Sequence, residues 1–330
     1  MRVCGAKQLR HLNPGTQHMK TIVIAIGGNS LIKDAQHQSV SDQYAAVVET
    51  VRHLTDLLAR GYRLVITHGN GPQVGFILLR SEHSRGLLHQ VPLDSIVADT
   101  QGALGYQLQQ ALENEFHRRG LKNSVATIVT QTLVDRADPA FAKPSKPIGE
   151  FYTREQAQER MRVEQWTMVE DAGRGWRRVV ASPKPVRIIE AEVVRHLVKD
   201  GYVVVAAGGG GIPVMADGQG MLSGVPAVID KDLASAVLAN QIGADMLMIS
   251  TAVERVCLNY GQPDQRELDS LTVTEARQFA AAGQFAAGSM LPKVEACVQF
   301  LQGGGREAVI TCPGKLSLAL NGISGTRIVP

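Results

Sequence analysis

At 330 residues, with 44% hydrophobic, 20% charged and 5% aromatic residues, the chain has the composition of an ordinary globular protein with room for a large core. A formal charge of +3 without any long basic run argues against a nucleic-acid partner, and no apolar stretch approaches the ~18 residues of a membrane span. The four cysteines, Cys4, Cys257, Cys297 and Cys312, are spaced neither for zinc nor for a CxxC pair, which fits a reduced, cytoplasmic setting.

Residues 1–18 are polar, carry no apolar signal core and are expected to form a disordered extension, with the folded chain starting at Met19. Ile22–Ile26 reads as a buried strand. Ser41–Arg60 reads as an amphipathic helix capped by Ser41, repeating apolar residues at Val47, Val48, Val51, Leu54, Leu57 and Leu58 and stopped by Gly61. Arg63–Thr67 is the next strand, Asp99–Arg119 a helix and Val125–Thr130 a third strand. From Asp135 to Pro185 the chain turns rich in Pro, Gly and charge. Such a stretch is too long for a plain loop, so a β-rich flap is expected there, with the run from Arg174 to Arg178 as solvated loop. Alternation then resumes. Helices are expected at Ala191–Lys199, Lys231–Ile242, Thr274–Ala282 and Lys293–Gly303, and strands at Tyr202–Ala207, Met246–Ser250 and Ala308–Thr311. Strand–helix–strand units at this spacing imply right-handed crossovers and a mainly parallel sheet.

Three strands end in glycines: Gly27-Gly28-Asn29, Gly69-Asn70-Gly71 after His68, and Gly208-Gly209-Gly210-Gly211. Such turns expose backbone N–H groups with no Cβ in the way, and several at the carboxyl edge of one sheet suggest an anion site. The chain has no GxxxxGK[ST], GxGxxG, HExxH or GxSxG. It does have three lysines in distinctive settings. Lys146 lies between prolines, Lys231 between Asp230 and Asp232 at a helix start, and Lys293 just after Pro292. A phosphoryl group in transfer needs dispersed positive charge and fixed N–H donors rather than a nucleophile. Each feature also has a plain reading, as surface lysine, helix-capping aspartate, strand-end histidine or ordinary turn; their coincidence favours the chemical one.

Taken with AIGGNSL (25–31), THGNGPQVG (67–75), DTQGALGYQLQQAL (99–112), DPAFAKPSKPIG (138–149), EDAGRGWRRVVASPKP (170–185), GGGGIPV (208–214), AVIDKDLASAVLA (227–239), LNYGQPDQ (258–265) and GSMLPKVEA (288–296), the chain resembles the carbamate kinases of the amino-acid-kinase fold. The resemblance implies a three-layer α/β/α sandwich with an open, mainly parallel sheet and a small protruding flap at about 135–185. It also implies an N-terminal lobe (19–200) for carbamate or carbamoyl phosphate and a C-terminal nucleotide lobe (201–330). The reaction implied is ATP + carbamate = ADP + carbamoyl phosphate, run towards ATP in catabolism by a homodimer.

By that resemblance Gly27, Gly28, Asn29, Gly69, Asn70 and Gly71 bind the small substrate, and Lys146, Lys231, Asp232 and Lys293 are catalytic. Gly208, Gly209, Gly210, Gly211, Thr251, Tyr260 and Met290 border the nucleotide. Magnesium is expected to be held mainly by the nucleotide phosphates, without a protein cage. Thr251-Ala252-Val253-Glu254 and Gln262 depart from the family's pattern on the nucleotide side. Two alternatives stay open: a kinase of another small carboxylate, and a non-catalytic subunit that binds nucleotide or carbamoyl phosphate.

Overall fold

The computed structural model describes residues 19–28, 31, 32, 34, 36–171 and 173–330; the extension expected over 1–18, and Asn29, lie outside them. Strand β1 (Thr21–Ile26) is apolar after its first residue and buried along its length, as a central strand covered on both faces must be. Helix α1 (Val40–Ala59) is capped by Ser39, not by the expected Ser41. The Ser39 hydroxyl accepts from the Asp42 amide while the Asp42 carboxylate accepts the Ser39 N–H, a closed reciprocal cap that Ser41 does not offer. Strand β2 (Arg63–His68) follows, then helix α2 (Gly71–His83), which nothing in the apolar spacing announces. Gly71 and Pro72 read as a turn, yet a proline fits the first turn of a helix because the N–H it lacks has no partner there.

Helix α3 (Leu93–Arg119) begins at Leu93 rather than Asp99, directly after Pro92. Strand β3 (Val125–Thr127) stops short of Thr130. There the chain is pulled aside by the Thr130 hydroxyl, which donates to Ile128 O at 2.7 Å and accepts the Ala207 N–H at 3.0 Å. It continues as β4 (Gln131–Val134) in a second sheet. The flap contains β5 (Lys146–Tyr152), α4 (Arg154–Glu164), β6 (Thr167–Glu170) and β7 (Trp176–Val180), with the strands antiparallel in the order β5-β7-β6. The run from Arg174 to Arg178 is therefore no solvated loop: it leads into β7, and Arg178 stacks on Trp166 at 4.2 Å from the ring centre.

Next come β8 (Pro185–Ile188), α5 (Ala191–Lys199), β9 (Val203–Val205), β10 (Ile212–Ala216), β11 (Leu222–Gly224), α6 (Lys231–Ile242) and β12 (Met246–Ser250). The remainder is β13 (Val256–Leu258), β14 (Arg266–Leu268), β15 (Ser270–Thr272), α7 (Val273–Ala281), α8 (Met290–Gln302), β16 (Glu307–Thr311), α9 (Leu316–Leu320) and β17 (Thr326–Val329).

The main sheet has the order β15-β17-β16-β12-β1-β2-β9-β3, parallel throughout except for the β16/β17 pair. Alternate side chains divide its core cleanly. Ile22, Ile24, Leu64, Ile66 and Met248 pack under α1, α3 and α9, while Val23, Ala25, Val65, Val204 and Leu247 pack under α5, α6 and α8. This is the three-layer sandwich expected. β9 lies between β2 and β3, so the boundary expected at 200/201 is crossed by the central sheet.

The flap is seated on the body, not hung from it. Ile148 and Val180 pack with Val74, Leu93 and Ile96, while an ion pair from Glu82 to Arg160 (3.1 Å) ties α2 to α4 and one from Arg85, just past the end of α2, reaches Glu164. The chain leaves β1 for β2 on one side and later adds β12 on the other. The carboxyl ends around β1 therefore form the switch point at which open α/β sheets hold ligands.

Candidate active site

At that edge Gly28 of the first glycine turn meets Gly69 of the second so closely that a Cβ on Gly69 would stand 3.5 Å from the Gly28 amide nitrogen and 3.6 Å from the Lys231 side chain. Helix α2 opens at Gly71 with its N-terminus towards this point; Asn70 does not cap it, because its amide donates to Thr100 Oγ1 at 2.8 Å. Gly71 and Asn70 line a cavity of about 290 Å³ together with Lys146, Asp230, Lys231 and Lys293.

Helix α6 starts at the cavity with Asp230 as its cap, one carboxylate oxygen accepting the Asp232 amide at 2.9 Å. The other oxygen of Asp230 receives Lys146 Nζ at 3.3 Å, so the flap reaches across to the body here. Asp232, 2% exposed, lies between two lysines. Lys231 donates to its Oδ1, and Lys293, from α8, donates to its Oδ2 at 3.1 Å. Burial alone would raise the Asp232 carboxyl, but the two ammonium groups outweigh it and hold the carboxyl below its ordinary range. Two cations against one buried anion leave a positive centre facing the cavity. Lys293 also donates to Ser289 O at 3.1 Å. It sits in the first turn of α8, which begins at Met290 and not at Lys293 as expected.

The third glycine turn is wedged among side chains of the same edge. A Cβ on Gly208 would meet His68 Nε2 at 2.4 Å, and one on Gly209 would meet Asn70 Nδ2 at 2.0 Å. Gln101, buried on α3, donates to Gly208 O and Thr130 O and accepts the Thr130 amide, while Thr132 donates to Gly210 O at 2.8 Å. The amides of Gly210 and Gly211 are spent on Ala207 and Gly208 carbonyls, and Gly209 lines the lysine cavity. His68 is buried with Nδ1 against Gly69 O at 3.0 Å. Burial, reinforced by the Lys231 charge and opposed by that hydrogen bond, holds its imidazole down at about 4, so it is neutral.

Thr251, Tyr260 and Met290 line a second, more apolar cavity of about 190 Å³ beside Phe285 and Cys257. Ser289 lines both cavities, which therefore adjoin. Of the residues singled out from sequence, the structure thus gathers Gly69, Asn70, Gly71, Lys146, Lys231, Asp232, Lys293 and Gly209 at one cavity and Thr251, Tyr260 and Met290 at its neighbour. Of Gly208–Gly211, Gly209 lines the lysine cavity and none of the four lines the cavity of Tyr260. The sequence reading passes over Thr100, Gln101, Ser289 and Arg177. They fall within the stretches DTQGALGYQLQQAL, GSMLPKVEA and EDAGRGWRRVVASPKP, but none carries a spacing that means chemistry by itself.

A fold of this kind with a lysine-lined cleft at its switch point defines a class: residues 20–312 match the sequence model of the amino acid kinase family, and the chain belongs to that family. It is 50% identical over 311 residues to the carbamate kinase-like protein YahI of Escherichia coli, covering 93% of this chain and 98% of that one. It is 48% identical over 316 residues to the carbamate kinase of Clostridium perfringens, covering 93% and 99%. Among solved structures, the carbamate kinase from Giardia lamblia bound to AMP-PNP has a TM-score of 0.89 at 41% identity, covering 94% of this chain and 99% of that one. Within its family the chain belongs with the carbamate kinases.

Proposed function

We infer that the protein catalyses ATP + carbamate = ADP + carbamoyl phosphate, running towards ATP. The observation that carries this reading is the Lys231–Asp232–Lys293 triad, which opens onto a small polar cavity that adjoins a second, apolar one of a different kind. The apolar cavity suits a nucleobase and the polar one a small oxyanion. The phosphoryl group then passes at their junction, beside Ser289 and the two lysines.

In this reading Gly27, Gly28, Asn29, Gly69, Asn70 and Gly71 hold the carbamate and the transferring oxygens, and the α2 N-terminus adds its dipole. Lys231 and Lys293 neutralise charge that spreads over the phosphoryl oxygens in the transition state, with Asp232 fixing their aim. Lys146 closes the site from the flap. Thr251, Tyr260 and Met290 border the nucleotide; Gly209, with Gly208, Gly210 and Gly211 behind it, shapes the phosphate side. The reaction needs no general base, because the carbamate oxygen is already an anion.

Among the described residues there is no group of three or more acidic, His or Cys side chains able to hold a metal ion. Both aspartates at the cavity are already engaged by lysines. That donor set suits magnesium brought in on the nucleotide and held mainly by its phosphates, where the ion would supply further neutralisation of their charge. We place the protein in the cytoplasm as a homodimer; among the described residues no helix is long and apolar enough to cross a membrane.

The test is ATP formation from carbamoyl phosphate and MgADP by the purified protein, read through coupled glucose phosphorylation. Magnesium-dependent ATP production is the expected result. Folded protein that binds ADP yet makes no ATP would overturn the reading in favour of a non-catalytic binding subunit. A positive screen with acetate, glutamate or aspartate instead of carbamate would reassign the acceptor.

A further inference from the structure

A third cavity, of about 450 Å³, lies between α2 and the flap, lined by Pro72, Gly75, Phe76, Leu79, Gly149 and Glu150. It shares two residues, Gly71 and Arg177, with the lysine cavity. The apolar cavity of Tyr260 and Met290 meets the lysine cavity elsewhere, at Ser289. The reactive centre therefore has two neighbouring spaces of different character, and Arg177 stands at the neck of one of them.

Arg177 comes from flap strand β7 and its side chain is 22% exposed. Its Nη2 donates to Gly149 O at 3.1 Å, and its Nη1 is 3.5 Å from Asp171 Oδ2. The guanidinium carbon lies 5.2 Å from the centre of the Phe151 ring. Its Nε is buried and meets no partner among the described residues. The group is thus positioned by one neutral carbonyl, a loose ion pair and a ring face, which leaves N–H capacity unspent on a cation that borders two cavities. A planar guanidinium donates two parallel hydrogen bonds to carboxylate or phosphate oxygens, a geometry that the point charges of Lys146, Lys231 and Lys293 do not offer.

We propose that Arg177 binds the small anionic substrate, and that this substrate reaches the lysines through the space between α2 and the flap while the nucleotide occupies the other side. The ligand class is a small carboxylate-like anion or its acyl phosphate, here carbamate and carbamoyl phosphate; to that extent the proposal rests on the function inferred above. Glu150, exposed on the wall of the outer space, repels such an anion, so passage depends on the opposing charge of Arg177.

The experiment is steady-state ATP formation by the wild type, Arg177→Met, Arg177→Lys and Glu150→Gln. Carbamoyl phosphate is titrated at saturating MgADP, and MgADP at saturating carbamoyl phosphate. For Arg177→Met the KM for carbamoyl phosphate is expected to rise about tenfold or more while that for MgADP stays within about twofold. Arg177→Lys, keeping charge without the fork, falls between, and Glu150→Gln lowers the KM for carbamoyl phosphate. An unchanged KM for carbamoyl phosphate overturns the proposal. So does a joint rise of both KM values, which would mean that Arg177 only braces the flap. Should the Met variant fail to fold, the Lys and Gln variants decide by the same comparison. A wild type that makes no ATP would sink the function itself, whereas an active wild type with an indifferent Arg177 sinks only this inference.

Discussion

Asp232 is held in one geometry by its own helix and a neighbouring one, since Lys231 is its chain neighbour and Lys293 arrives from α8. Replacing it with Asn leaves two largely buried ammonium groups without their anion, and a stability loss of about 3 kcal/mol or more is expected, read by urea unfolding. A loss below about 1 kcal/mol would mean that water or other groups already screen the lysines. Lys231→Ala removes charge that faces the cavity, and turnover is expected to fall about a hundredfold, on the order of 3 kcal/mol of transition-state stabilisation. A near-normal rate would remove Lys231 from the machinery. These residues were legible in sequence because a lysine flanked by two aspartates at a helix start, or placed just after a proline, is an unusual setting. Arg177 was not, because its meaning depends on which cavity wall β7 faces, and pairing across the flap decides that.

At the scale of elements, the glycine turn after β9 is the least forgiving piece of backbone near the site. Gly210 has φ +91°, and a Cβ there would lie 2.5 Å from Ile229 O, a backbone atom just before the α6 cap that cannot swing away as a side chain would. Gly210→Ala is therefore expected to cost about 2 kcal/mol or more in stability and to displace Asp230 and Lys231, lowering activity as well. Wild-type unfolding and turnover in that variant would contradict the placement of the turn. The long helices and buried strands could be read from periodicity, and α5, α6 and β12 have the bounds expected. Helix α2 could not, since Gly71 and Pro72 are turn residues that become acceptable only because a helix N-terminus leaves amides unpaired. The end of β3 was equally hidden, being set by a hydrogen bond between Thr130 and a residue far along the chain.

Across the whole molecule, the buried neutral His68 couples stability to pH. Its folded value of about 4 lies below the ordinary 6.5, so between these values the unfolded chain takes up a proton that the folded chain refuses. Stability from this group is complete above about 6.5, declines as the pH falls towards 4, and is then lost to the extent of about 3 kcal/mol. Urea unfolding at pH 7.5 and 5 should show the fall, and His68→Gln should make it shallower. An identical slope in the variant would assign the acid sensitivity to other groups. The overall architecture was the most legible level of all, because strand–helix alternation permits few topologies. The proposed division into lobes is the part least visible in the fold, since one sheet runs through both.

Both tryptophans of the chain, Trp166 and Trp176, belong to the flap, one against Tyr152 and Arg178, the other opening β7. Nothing in the sandwich emits at the same wavelengths, so the protein carries its own optical label on the element that brings Lys146 and Arg177 to the cavity. Any change in tryptophan emission when carbamoyl phosphate is added reports the flap and its seat on α2, where Trp166 shares a small cavity with Leu78, Leu79 and Glu82, and its rate can be followed in the unmodified enzyme.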